Sequence, residues 1–356
     1  MTMRRRSLIA ALSLAVVTAA VLAGCAGPAG GQPTAAVAAS ELHLGYFANV
    51  THAPALVGLD KGLFAKELGR TKISTQVFNA GPATIEALSA GAIDAAFIGP
   101  SPAINSYIKS KGASVVVVAG AATGGAALVV RSGITSAAEL KGTTLATPQL
   151  GNTQDVALRS WLATQGYKTS ITGGGDVTIS PSENADTLKL FEAGTIDGAW
   201  LPEPWVSRLV LEAHAHVLVD EASLWPNGAF PTTVLVVNKS FLYAHPQTVK
   251  ALVAGEVDSV NWLNAHPTEA AAAINEQLVA VAGKGLSAPV IERALANVKF
   301  SVDPQAQAFP TLITHAVSAG TGTQGSITGL FDLSLLNSIL TASGGTAVSA
   351  HGLGKE

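Results

Sequence analysis

Between residues 42 and 238 the chain alternates short apolar runs, four to six residues long, with stretches whose apolar positions recur every three or four residues. Runs of this length bounded by Gly, Pro, Asn and Ser read as buried strands, and the periodic stretches between them as helices. The pattern predicts ten strands, at residues 42–47, 73–78, 95–98, 115–119, 127–130, 144–147, 177–180, 198–201, 216–219 and 233–238. Helices fall between them, for example at 83–90 and 153–164. After Asn238 the strand signals nearly stop, and 249–264, 268–281, 288–297 and 333–340 read as helices. Strands alternating with helices predict an α/β fold with mostly parallel sheets.

One internal echo divides the molecule. Residues 87–98 (ALSAGAIDAAFI) match residues 190–201 (LFEAGTIDGAWL), each reading as a helix, then Ala-Gly-x-Ile-Asp, then a buried strand. Gly91 and Gly194 suit the left-handed position that ends a helix, and Asp94 and Asp197 open the strands. Pro-rich turns follow both copies, Pro100-Ser101-Pro102 and Pro202-Glu203-Pro204. The echo predicts two lobes built from the same unit.

The turns after the strands share one character. Asn49–Pro54, Asn79–Pro82 and Gly99–Pro102 each place a proline where a helix should begin, its favoured first-turn position. Thr51 and Ser101 are candidate helix caps, and Asn152 with Asp155 three residues on resembles a capping box. In parallel sheets such turns gather at one edge, where ligands bind. Helix starts present unpaired N–H groups and a positive dipole end. Two such edges facing each other suit a small oxyanion without Lys or Arg, and these turns contain neither.

Charge and cysteine usage narrow the function. Arg4, Arg5 and Arg6 precede an apolar stretch that ends in Leu22-Ala23-Gly24-Cys25, the order of a secretory signal. The one cysteine of the chain is Cys25, so neither an internal disulfide nor a Cys-based zinc site is available. The sequence Leu-Ala-Gly-Cys resembles the bacterial lipobox, which makes residues 1–24 a lipoprotein signal peptide and Cys25 the lipidation site. Residues 25–40, small and Gly/Pro-containing, read as a flexible tether. The leader holds three of the 21 Lys+Arg and none of the 24 Asp+Glu, leaving a formal charge of −6. That balance argues against a nucleic-acid partner.

Catalytic and metal signals are weak. Gly99-Pro100-Ser101-Pro102-Ala103 mimics a nucleophile elbow, but the oxyanion hole needs the N–H of the residue after the serine, and proline has none. His214 and His216 lie two apart beside Glu212, Asp220 and Glu221, an arrangement more often exposed at a strand start than metal-bound. Gly173-Gly174-Gly175 lacks the lysine of a phosphate loop and reads as a turn. No metal, cofactor or catalytic residue is expected.

The pieces Leu44–Phe47 with Pro54, Gly62-Leu63-Phe64, residues 87–98, 141–146, Gly151–Gln154 with Leu158, and Trp200 through Trp205 together resemble substrate-binding proteins of ABC importers, in the nitrate, sulfonate and taurine branch. The resemblance implies a periplasmic-binding-protein-like type II fold, two lobes joined by two crossover strands, placed near residues 127–130 and 233–238. The first lobe is expected from 41–126 and 236–356, the second from 127–235. Carrying the family's pocket turns over predicts contacts from Thr51, His52, Asn79, Ser101, Gly125, Asn152, Thr153, Glu203, Trp205 and Thr232. Glu203 would repel a bare anion if it faced the pocket, hold an ammonium of a zwitterion such as taurine, or point away as a helix-terminal acid. The resemblance also implies a monomer that passes a small solute to an ABC permease and its ATPase. Alternatives are an aromatic carboxylate or thiamine-pyrimidine precursor as the solute, or an enzyme or sensor on the same scaffold. Relatives that make a pyrimidine precursor depend on a cysteine-rich motif absent here.

Overall fold

In the computed structural model, residues 38–356 are described. The signal peptide, Cys25 and most of the expected tether lie outside them. All ten predicted strands form, as β1 (Glu41–Phe47), β2 (Lys72–Phe78), β3 (Ala95–Ile98), β4 (Val115–Gly124), β5 (Ala126–Val130), β6 (Thr144–Thr147), β7 (Thr178–Pro181), β8 (Gly198–Pro202), β9 (His216–Asp220) and β10 (Pro231–Asn238). Three short strands escape the pattern: β11 (Val298–Phe300), β12 (Phe331–Asp332) and β13 (Gly354–Lys355). With two or three residues each, they carry no readable alternation.

The strands make two sheets of related topology. The larger runs β13-β12-β4-β10-β3-β1-β2 with β11 on β4, and the smaller runs β7-β6-β8-β5-β9. Its central part, β2-β1-β3-β10-β4, has the same order of roles as β7-β6-β8-β5-β9. In each, the first three strands run parallel. A strand arriving from the other sheet, β10 or β5, is inserted antiparallel between the third and fourth. The sheets are therefore mixed, and the inserted strands run antiparallel because they enter from the end facing the other lobe. Neither is a free-standing connector. The chain changes sheets between Gly124 and Ala126, and again between Asp220 and Pro231.

The echo noticed in sequence is a repeated clamp. Asp94 Oδ2 accepts the His43 N–H at 2.8 Å, and the Asp94 N–H donates to His43 O. Asp197 Oδ2 likewise accepts the Thr144 N–H at 2.8 Å, and its own N–H donates to Thr144 O. The carbonyl of each aspartate then receives the N–H at the end of the inserted strand, from Asn238 in one lobe and from Arg131 in the other. Gly91 and Gly194 adopt φ of 71° and 72°, as helix-ending glycines should.

The central strands of each sheet are covered on both faces and are apolar at consecutive positions, while the edge strands β2 and β9 are largely exposed or half-buried. In β8, Ala199 and Leu201 pack with Phe191 and Leu209 on one side, and Trp200 with Leu158 and Leu162 on the other. The larger sheet carries the main core. Strand β4 extends past its predicted end because Gly120–Gly124 is a run of small residues that lets other chain approach. A Cβ at Gly120 would meet Asp303 O at 2.3 Å. The expected tether is already fastened at its end. The Ala39 N–H donates to Thr248 Oγ1, Thr71 Oγ1 donates to Ala39 O, and the Lys72 N–H to Ser40 O. Among the described residues no helix is long and apolar enough to cross a membrane.

Candidate functional site

The helix-starting turns of both sheets meet across one cleft, which is shut. The Ser101 N–H of the first lobe donates to Thr153 Oγ1 of the second at 3.3 Å. Trp205 Nε1 donates to Asn49 Oδ1 at 2.8 Å. These contacts enclose a small chamber with about 20 Å³ of free room, where a water needs roughly 10–15 Å³.

Five of the predicted contact residues line this chamber: Thr51, His52, Asn152, Thr153 and Thr232. The sequence reading missed Asn49 and Gln154, which also line it. Both lie in turns already singled out, Asn49 directly after β1 and Gln154 two residues past the cap. Thr232 donates its hydroxyl to Gly124 O in a short hydrogen bond. No lining residue is an acid, a lysine or an arginine.

His52 is buried and stacked on Phe47, with ring centroids 4.3 Å apart. Its Nδ1 accepts the Phe47 N–H at 3.3 Å. Burial pulls its pKa down to about 3, so the ring is neutral at physiological pH. With Nδ1 accepting, the proton sits on Nε2.

The start of the helix Thr153–Thr164 is built as the sequence suggests. Asn152 Oδ1 accepts the Asp155 N–H at 2.9 Å. Asp155 reaches back to the Gly151 N–H, one residue before the cap, rather than to the cap itself. Asp155 also accepts from Thr147 Oγ1 and pairs with Arg159 Nε at 3.0 Å in a fully buried ion pair. The helix thus starts rigidly, with the N–H groups of Thr153 and Gln154 lacking intrahelical acceptors.

Two predicted caps are corrected. Asn49, not Thr51, precedes the turn Val50–His52, and no side chain caps it. Gly99, not Ser101, caps the helix Pro100–Lys109, because Pro100 already occupies its first position. Ser101 therefore falls inside the helix, and its buried hydroxyl has no hydrogen-bond partner.

The remaining predicted residues lie beside the chamber. Asn79 and Trp205 line a neighbouring slot of about 60 Å³ with Asn49 and Asn184. Gly125 and Glu203 line a separate cavity of about 260 Å³ with Arg293 and Asn297. Glu203 takes the third of its three readings, pointing away as a helix-terminal acid. Its Oε2 accepts the Ser207 N–H at 2.9 Å, and its Oε1 accepts from Arg293 at 3.1 Å and Asn297 at 3.0 Å. Burial pushes its carboxyl pKa upward, and these partners pull it back. Arg293 and Asn297 come from the C-terminal region, so nothing local in the sequence announces this bridge between lobes. Among the described residues no group of three or more His, Cys, Asp or Glu could hold a metal.

A shut cleft between two sheets of one strand order, lined by helix starts, defines a two-lobed periplasmic-binding-protein fold of type II. The chain belongs to the NMT1-like family, which matches residues 35–279. Among curated relatives, the taurine-binding periplasmic protein of Escherichia coli K12 is 30% identical over 217 residues, covering 60% of this chain and 64% of that protein. A putative aliphatic sulfonates-binding protein of the same organism is 29% identical over 237 residues, 64% of this chain and 67% of its own. The first of these matches thus spans just under two thirds of its relative's length. Two solved structures share the fold. One is the alkanesulfonate-binding protein of Xanthomonas axonopodis pv. citri bound to MOPS, with TM-score 0.68 and 23% identity, covering 81% of this chain and 96% of that one. The other is the periplasmic nitrate-binding protein of Synechocystis, with TM-score 0.69 and 15% identity, covering 85% and 89%.

Proposed function

We propose that this protein is the extracytoplasmic solute-binding component of an ABC importer and takes a small oxyanion of the sulfonate, taurine or nitrate class. The observation that carries the reading is the chamber itself: helix starts from both lobes, neutral hydrogen-bond donors, and no fixed charge of either sign. Oriented N–H groups and helix dipoles stabilise an anion without a salt bridge. The relatives named for taurine and sulfonates bear on the class of guest. The lobes are residues 41–126 with 236–356, and 127–235. They swing apart about the two chain passages to admit the solute, and the closed form docks on a permease. Cys25 carries the lipid that holds the chain to the outer face of the membrane, and the protein acts as a monomer without turnover.

A melting screen of nitrate, taurine, alkanesulfonates, aromatic sulfonates, carboxylates and pyrimidine precursors tests this. A guest at a hundred times its Kd stabilises the fold by about 2.7 kcal/mol. No shift with any compound at high concentration would overturn the reading. Release of product from a bound compound would move the protein to the enzyme class.

A further inference from the structure

Building on the solute-binding reading, we infer that Arg293 and Asn297 set how tightly the guest is held without touching it. They are positioning residues, which keep the two lobes shut by way of Glu203. Neither lines the chamber. Both reach from the first lobe to the start of the helix Trp205–Glu212 in the second, where Glu203 is buried at 1% exposure.

Three bonds cross between the lobes at this point. Glu203 Oε1 accepts from Arg293 Nη1 at 3.1 Å and from Asn297 Nδ2 at 3.0 Å. Arg293 Nη1 also donates to Ser207 Oγ at 2.9 Å. The other oxygen, Oε2, holds the Ser207 N–H. One carboxylate thus ties the helix start of its own lobe to two side chains of the other.

The same helix start shapes the chamber. Pro202, directly before Glu203, lines it. Trp205, two residues after, donates to Asn49, which lines it too. The Glu203 carbonyl faces the Thr51 N–H at 3.5 Å.

Each end of the bridge is fixed to its own lobe. Asn297 leads directly into β11, where Val298 pairs opposite Gly124 of β4. Glu203 directly follows β8 of the smaller sheet. The Glu203 N–H donates to the carbonyl of Gly125, the residue at which the chain changes sheets. A rotation there keeps this main-chain bond near its axis and carries the side-chain ends past one another. Hydrogen bonds weaken steeply with misalignment, so the side-chain bonds count in the shut arrangement and fade as it opens. A buried carboxylate parted from its cation is strongly disfavoured. The bridge therefore favours the shut form, and apparent affinity follows the population of the competent form.

The test has a ligand arm and a ligand-free arm. Calorimetry and stopped-flow tryptophan fluorescence with taurine, methanesulfonate and nitrate compare the wild type with Arg293→Met. Release of a bound anion should become about tenfold faster or more, with its arrival little changed. Asn297→Ala, which keeps the ion pair, should act in the same direction and less. In a Glu203→Gln background Arg293→Met should have a smaller effect, because the shared partner is gone. Small-angle X-ray scattering without any anion should find Arg293→Met wider than the wild type. Unchanged affinity in Arg293→Met, or an effect of equal size with and without Glu203, would overturn the inference and leave the import reading standing. If none of the three anions binds, the import reading falls, and equal radii for the two proteins would then overturn the inference as well.

Discussion

The two lobes share a strand order and the aspartate clamp, yet they finish their helix starts differently. In the second lobe two helix starts are closed by the lobe's own side chains, while the helix Asn184–Glu192 has no side-chain cap. Asn152 caps the helix Thr153–Thr164, and Glu203 accepts the Ser207 N–H of the helix Trp205–Glu212. In the first lobe no side chain caps the turn Val50–His52 or the helices Ala53–Asp60, Gly81–Ser89 and Pro100–Lys109. Proline in their first turns removes some donors outright. The second lobe therefore presents a rim satisfied in part from within, and the first a rim without side-chain caps. The Ser101 N–H is completed here by Thr153, from the opposite lobe.

The sharpest break of this comparison is Asp155→Ala. It leaves Arg159 as an uncompensated buried charge, and chemical denaturation should read a loss of about 3–5 kcal/mol. A loss near zero would mean the second rim is not held by its ion pair.

Next comes a buried acid with a raised pKa in each lobe. In the second, Glu221 accepts Trp200 Nε1–H at 2.7 Å, and burial pushes its pKa from 4.5 to about 7. In the first, Glu256 is fully buried with neither oxygen paired, and burial raises its pKa well above the ordinary carboxylate value. A raised folded pKa gives stability that is present below the unfolded value and lost as pH rises through the folded one. For Glu221 that window runs from 4.5 to about 7, with a loss of up to about 3 kcal/mol. Glu221→Gln should remove this slope, and denaturation curves at several pH values would measure the difference. Glu256→Gln should likewise remove a loss that sets in as pH rises above the ordinary carboxylate value.

A smaller contrast separates the rims directly. Asn152→Ala should cost about 1 kcal/mol of stability, as a lost cap does. Ser101→Ala in the other lobe should be neutral or slightly stabilising, because its hydroxyl has no partner to lose. Equal losses in both would erase the distinction. The smallest effect concerns pH and affinity. With the His52 pKa down at about 3, the affinity for a proton-free anion should stay level from about pH 5 to 8. An affinity that climbs as pH falls through the ordinary histidine range would assign the grip to an imidazolium.

The central strands were legible because burial on both faces leaves continuous apolar runs, whereas the edge strands β2 and β9, largely exposed, were legible from their β-branched residues and bounding turns. The repeat at 87–98 and 190–201 was legible because each copy must clamp its own first strand with an aspartate. The caps at Thr51 and Ser101 were misread because residue type marks a helix start only to within a residue or two, and Pro100 shifts the register. Glu203 offered three readings, and its partners Arg293 and Asn297, some ninety residues away, decide among them. Long-range partners leave no local trace.

The passage from β4 to β5 is the single residue Gly125, at φ of 69°, directly after Gly124 at 75°. A methyl group at Gly124 would reach Asn297 O at 2.8 Å, and one at Gly125 would reach Val298 Cγ2 at 2.4 Å. The dihedral freedom of this joint and the chain wedged against it cannot be tuned separately. If the lobes swing apart as proposed, alanine at either place would jam the motion and spoil the neighbouring packing at once, which leaves the longer return stretch between Asp220 and Pro231 to adjust how readily the halves part.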